Sequence, residues 1–118
     1  CLIVDNIGML SALYNYSSIS YVGGGMGKKG LHNTLEPAYF SKPIIIGKNY
    51  QKFEEANEMI KNGNMISISN YNEFYNAIES IIDNENLLIK MSKKCKEYFD
   101  KKKGAVKIIL NDLKWKNW

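Results

Sequence analysis

Apolar positions along the chain follow two rhythms. Short apolar runs at Leu2-Ile-Val4, Ile19 to Val22, Pro43-Ile-Ile-Ile46 and Met65 to Ile68 have the length of strands. The unbroken branched residues at Ile44-Ile-Ile46 suit a strand buried on both faces, as in a parallel sheet. Between these runs the spacing changes to three and four. Leu10, Leu13 and Tyr14 predict a helix after the turn Asn6-Ile-Gly-Met9, ending near Tyr16, and another runs from about Asn33 to Ser41. Phe53, Ala56, Met59 and Ile60 predict a third, which Gly63 stops. Asn70-x-x-Glu73 has the spacing of a capping box ahead of Phe74, Ala77, Ile78, Ile81 and Ile82. A helix from about Glu85 carries Leu87, Leu88, Met91, Cys95, Tyr98 and Phe99. Gly104 is expected to interrupt it before a last short helix with Val106, Ile109, Leu110 and Leu113. Strand and helix alternate through the first seventy residues, so the expected fold is α/β, a Rossmann-like parallel sheet with helices on both faces.

Composition changes this picture little. The 118 residues, 45% hydrophobic, are one domain that can bury a core. No stretch approaches the roughly 20 apolar residues of a membrane span, and there is no signal-peptide pattern. Cys1 and Cys95 lie far apart without metal-ligand spacing; Cys95 is expected as a buried thiol, which fits a reducing cytoplasmic setting. The chain opens at Cys1-Leu-Ile-Val-Asp5 without an initiator methionine, which suggests a piece of a longer protein.

Charge is uneven. Residues 1–89 hold six lysines against nine carboxylates, and residues 90–118 hold ten lysines against three. All sixteen basic residues are Lys. The absence of Arg argues against a nucleic-acid surface, which favours planar guanidinium forks. The lysine-rich end is either a solvated helix face or a patch for an anionic membrane surface. Lys101 to Lys103 are the better candidates for such contact, with Trp115 and Trp118 as possible interfacial anchors.

Candidate chemistry gathers where Tyr21-Val22 runs into a glycine-rich loop (Gly23, Gly24, Gly25, Gly27, Gly30) that ends at Asn33-Thr-Leu-Glu36. Glycine lets backbone approach a ligand, and a helix start offers N–H groups without intrahelical partners. In an open parallel sheet, ligands bind outside the carboxyl ends of the strands. The loops Asn6 to Met9, Gly23 to Glu36 and Gly47 to Tyr50 should therefore line one crevice. Backbone N–H groups of Gly8, Thr34 and Leu35 are candidates for a phosphate, with Lys28, Lys29 and Lys48 either as countercharges or as plain surface residues. Glu36 is suited to accept both hydroxyls of a ribose and Asn33 to donate and accept. The same pair also has capping-box spacing, so capping and ligand binding both stand for Asn33 and Glu36. His32, the one histidine, has structural and functional readings too; no catalytic triad or metal cluster is visible.

At these loops the sequence resembles the C-terminal domain of the 3-deoxy-D-manno-octulosonic acid (Kdo) transferases. The matching residues are Asp5-Asn-Ile-Gly-Met-Leu10, Tyr21-Val-Gly-Gly-Gly25, Gly30-Leu-His-Asn-Thr-Leu-Glu-Pro-Ala38, Lys42-Pro-Ile-Ile-Ile-Gly47 and Asn49-Tyr-Gln-Lys-Phe53, in order over residues 1 to about 70. The resemblance implies that residues 1–118 are the C-terminal half of a GT-B glycosyltransferase moving Kdo from CMP-Kdo to a lipid A precursor. It places CMP contacts on Ile7, Gly8, Met9, Asn33, Thr34, Leu35 and Glu36, with further loop contacts at Gly24, Gly25 and His32. It implies no metal or other cofactor, and a catalytic glutamate in an N-terminal domain outside this chain, so that the chain alone is expected to be inactive. It also implies peripheral attachment at the cytoplasmic face of the bacterial inner membrane. Many family members have Glu in place of Met9 and a second Gly in place of Leu31, so a contact at Met9 is expected through its backbone. The alternatives are another GT-B transferase using a UDP-sugar, and a non-catalytic α/β ligand-binding module.

Overall fold

The computed structural model describes the secondary structure of residues 1–115 and the side-chain surroundings of residues 1–104. Its elements alternate: α1 (Leu10–Tyr14), β1 (Ser20–Val22), α2 (Leu35–Tyr39), β2 (Ile44–Gly47), α3 (Glu54–Asn62), β3 (Met65–Ile68), α4 (Tyr71–Ile82) and α5 (Glu85–Trp115). The strands form one parallel sheet in the order β1-β2-β3, with Tyr21 beside Ile45 and Ile45 beside Ile66. All four residues of β2 are buried, as its branched composition predicts for a central strand.

Alternation along β2 divides the core. Ile44 and Ile46 face one layer with Val22, Ala38, Ala56 and Met59, while Ile45 faces the other with Ile68, Ala77, Ile81 and Met91. Helix α5 belongs to both layers: Met91 packs in one and Tyr98 in the other. Between them Cys95 is fully buried, and its Sγ lies 3.1 Å from the carbonyl of Lys42, just before β2. The amide of Asn64, just before β3, donates to the same sulfur at 3.5 Å. The helix therefore passes beneath the amino ends of the strands and leaves the carboxyl ends open.

Local signals set most boundaries. Gly63 ends α3 in a left-handed conformation (φ 77°). Asn70 caps α4 by accepting the Glu73 N–H at 2.9 Å. The Glu73 carboxylate accepts the N–H of Ser69, one residue ahead of the cap.

Four expectations are corrected. Leu2-Ile-Val4 forms no strand and is exposed, because a strand exists through its ladder and no other strand pairs with it among the described residues. Helix α1 is a single turn with no buried residue, and Leu10 lies at the surface; Asn15, Ser17 and Ser18 follow it and favour turns over helix. Ile82 is exposed, one step past the inward stripe that ends at Ile81. Gly104 does not interrupt α5, since one helical glycine costs only about 1 kcal/mol, less than a helix anchored by Met91, Cys95 and Tyr98 gains. Val106, Ile109, Leu110 and Leu113 thus continue α5; their side chains, and Trp115 and Trp118 as anchors, lie outside the described surroundings. No helix among the described residues is long and apolar enough to cross a membrane.

Candidate functional site

The loops leaving β1 and β2 touch backbone to backbone. A Cβ on Gly47 would stand 2.3 Å from the carbonyl carbon of Gly25, a clash with rigid main chain. Asn49 fastens the same junction: its N–H donates to Gly25 O at 2.8 Å, and its side-chain amide donates to Gly27 O at 3.1 Å. The glycine loop then folds back on itself. Gly24 takes φ +89°, and a Cβ there would lie 2.1 Å from the carbonyl oxygen of Gly30. His32 donates its N–H to Gly23 O at 3.0 Å. Leu31, where many Kdo transferases have glycine, is buried in the core and pins this end of the loop.

Of the two readings left open for Asn33 and Glu36, the capping box does not form. Asn33 Oδ1 accepts the N–H of Leu35 at 3.0 Å, a local turn two residues long. Thr34 occupies the N-cap position without making a side-chain cap. Its side chain is buried, and its Oγ1 has no hydrogen-bond partner among the described residues. Glu36 turns the other way and accepts a hydrogen bond from Ser11 Oγ of α1. Burial, with the nearby Glu36 charge, pushes the Tyr14 phenol above its ordinary pKa, and Tyr14 stacks on Phe40 at 5.9 Å. These contacts bind α1 to α2.

Of the residues singled out in the sequence, Asn33, Thr34, Leu35 and Glu36 follow one another at the start of α2, with Thr34 buried, and the contact that ties this segment to the α1 side is made by Ser11, two residues past Met9. Ile7 is completely exposed, Gly8 has φ +96° with open space around it, and Met9 is 45% exposed. Gly24 lies under His32, whose ring is at the surface, whereas Gly25 is buried against Gly47. Ser11 went unnoticed in the sequence, because a serine 25 positions from its partner carries no local signal. A separate cleft of about 410 Å³ opens between Gly27, Lys28 and Gly30 on one wall and Asn49, Gln51, Lys52 and Phe53 on the other. Among the described residues, no three His, Cys, Asp or Glu side chains group closely enough to hold a metal ion.

A parallel α/β sheet whose glycine loop lies at the carboxyl ends of its strands defines a Rossmann-like domain. Its fold matches the crystal structure of the C-terminal CMP-Kdo binding domain of WaaA from Acinetobacter baumannii, with a TM-score of 0.73 and 21% identity, over 80% of this chain and 50% of that one. The architecture is accordingly that of the C-terminal half of a GT-B fold. The sequence is more specific: over most of its length the chain is a homologue of a segment of the Kdo transferases. The 3-deoxy-D-manno-octulosonic acid transferase of Rickettsia prowazekii is 34% identical over 95% of the chain, and that of Haemophilus influenzae 30% over 93%. A bifunctional glycosyltransferase/methyltransferase of Fusobacterium nucleatum is 37% identical over 72%. The chain spans 23% and 26% of the length of the two Kdo transferases and 13% of the Fusobacterium protein. No protein-family model matches it.

Proposed function

We propose that this chain is the donor-nucleotide-binding part of a glycosyltransferase that moves Kdo from CMP-Kdo to a lipid A precursor in lipopolysaccharide biosynthesis. The observation that carries the reading is the turn at residues 33–36, where Glu36 is drawn toward α1 by Ser11 and away from the capping position. A carboxylate so placed is free of helix-capping duty and can accept the two hydroxyls of a ribose, while Asn33 fixes the turn. Ile7, Gly8 and Met9 contribute the exposed loop before α1, where Gly8 allows a phosphate or ribose to approach closely. Helix α2 has only five residues, so its dipole is short, and local N–H groups carry more of any phosphate contact than the macrodipole does.

In the proposed reaction the acceptor hydroxyl is deprotonated by a carboxylate outside residues 1–118. This chain holds the departing CMP without a metal, as the resemblance implies. The lipid acceptor places the reaction at the cytoplasmic face of the inner membrane. Calorimetry with CMP, UMP and AMP tests the nucleotide. CMP is expected to bind more tightly than the other two. Equal binding of UMP would favour a UDP-sugar transferase, and no binding of any of them would favour a non-catalytic module.

A further inference from the structure

The cleft between the glycine loop and the β2–α3 loop contains none of the residues given CMP contacts, only Lys28 among the candidate countercharges, yet it is built as a binding site. One wall is fixed by Asn49, which holds Gly25 and Gly27 through its main-chain and side-chain N–H groups. Gly30, at φ +96°, rests against the Phe53 ring, where a Cβ would come within 3.3 Å of Cζ. Gln51 is locked as well, its amide donating to Lys48 O at 2.8 Å and its Oε1 accepting the Tyr50 N–H at 3.1 Å. The bonds made by Asn49 use its nitrogen and leave its Oδ1 to accept a hydroxyl.

Charge in the cleft has one sign. Lys28 and Lys52 line it, no carboxylate does, and neither ammonium forms an ion pair among the described residues. A volume of about 410 Å³ lies in the range of small-molecule sites, about 300–1,000 Å³, and is far larger than a simple ion needs. The contents suited to it are therefore a polyhydroxylated body with an anionic group, set against the Phe53 ring. The position relative to the nucleotide turn is also suitable. Gly30 and Asn33 are three peptide units apart, so their Cα atoms lie within about 11 Å, a span one nucleotide-sugar can bridge.

We infer that this cleft is the subsite for the sugar acid carried by the nucleotide, with Lys28 and Lys52 facing its carboxylate and Asn49 accepting a sugar hydroxyl. The inference rests on the proposed nucleotide turn at residues 33–36, but its readout is separate. The ¹⁵N-labelled 118-residue chain would be titrated with free Kdo, with its carboxyl methyl ester, with inorganic phosphate and with CMP, following amide shifts. Free Kdo is expected to move the amides of residues 27–30 and 49–53. The uncharged ester should bind at least fivefold more weakly, and Lys28→Gln/Lys52→Gln should weaken Kdo binding by a similar factor with an unchanged melting temperature. Equal shifts from Kdo and its ester, or no effect of the double substitution, would overturn the assignment. Phosphate acting as strongly as Kdo at the same amides would reduce the cleft to a general anion site and overturn it equally. A failure of CMP to move residues 33–36 would sink the proposed function, while the Kdo titration would still read the cleft.

Discussion

Glu36 is the side chain on which the nucleotide reading turns, and its surroundings make that reading measurable. It contributes no cap, and its visible bond is to exposed Ser11. Glu36→Gln should therefore leave the melting temperature almost unchanged. It should cost CMP binding on the order of 1.5–3 kcal/mol, the range for hydrogen bonds to a charged group, or roughly ten- to a hundredfold in Kd. Unchanged CMP affinity with a clear loss of stability would return Glu36 to a structural role. Cys95 offers a second residue-scale test. Burial raises its thiol from 9.0 to about 11, the Asn64 amide opposing this only in part. The native state then holds the proton where the unfolded chain has released it. Stability from this group is complete below about pH 9 and is lost as pH rises through about 11, amounting to roughly 2–3 kcal/mol at 1.36 kcal/mol per unit. Urea unfolding between pH 8 and 11 should show this decline in the wild type and a shallower one in Cys95→Ala. Tyr98, pushed up to about 12 by burial and its bond to Glu58, and Tyr14, also raised by burial, contribute to the slope that remains.

At the scale of elements, the Gly25–Gly47 contact holds two strand ends at a distance no side chain permits. Gly47→Ala should cost about 1–3 kcal/mol, the usual penalty for overpacking. It should also weaken CMP binding, since the loop it displaces leads directly to residues 33–36; thermal melts and calorimetry on one variant read both effects. The elements themselves were largely legible in the sequence. The branched run of β2, the stop at Gly63 and the cap at Asn70 each act within a few residues, so the local pattern contained them. Leu2-Ile-Val4 misled because its apolar pattern is that of a strand, whereas a strand also needs a neighbour that no local pattern reports. The site was legible as a set of loops but not as a geometry. Asn33 and Glu36 have the spacing of a cap, and only the distant Ser11 decides that Glu36 turns away. The Lys52 wall of the cleft was likewise hidden, since nothing local pairs it with Lys28.

For the molecule as a whole, part of the lysine surplus between residues 90 and 104 loses its freedom once α5 is folded. Lys102 pairs with Glu58 at 2.9 Å and stands over the Tyr98 ring, and Lys103 pairs with Asp100 beside Phe99 and Tyr39. Lys94 donates to Asn62 O at 2.6 Å. Each free lysine near an anionic surface contributes about 1 kcal/mol, a gain that fades with salt. Lys101→Gln is therefore expected to reduce sedimentation with anionic vesicles more than Lys102→Gln, and high salt should abolish the difference. Equal effects of the two substitutions would mean that the pairing seen here does not govern contact with the surface.

The passage of α5 beneath the strands also sets an order of events during synthesis. The glycine loop, the turn at residues 33–36 and all three strands leave the ribosome before Cys95 and Tyr98 do. Until then Ile44 and Ile46 lack the Tyr98 part of their cover, Ile45 lacks Met91, and the carbonyl of Lys42 waits for its sulfur partner. A chain ending near residue 85 would thus display every proposed ligand residue on a sheet with part of both faces bare. Such a chain should be a preferred target for chaperones and proteases, and it should become resistant only when the last helix docks.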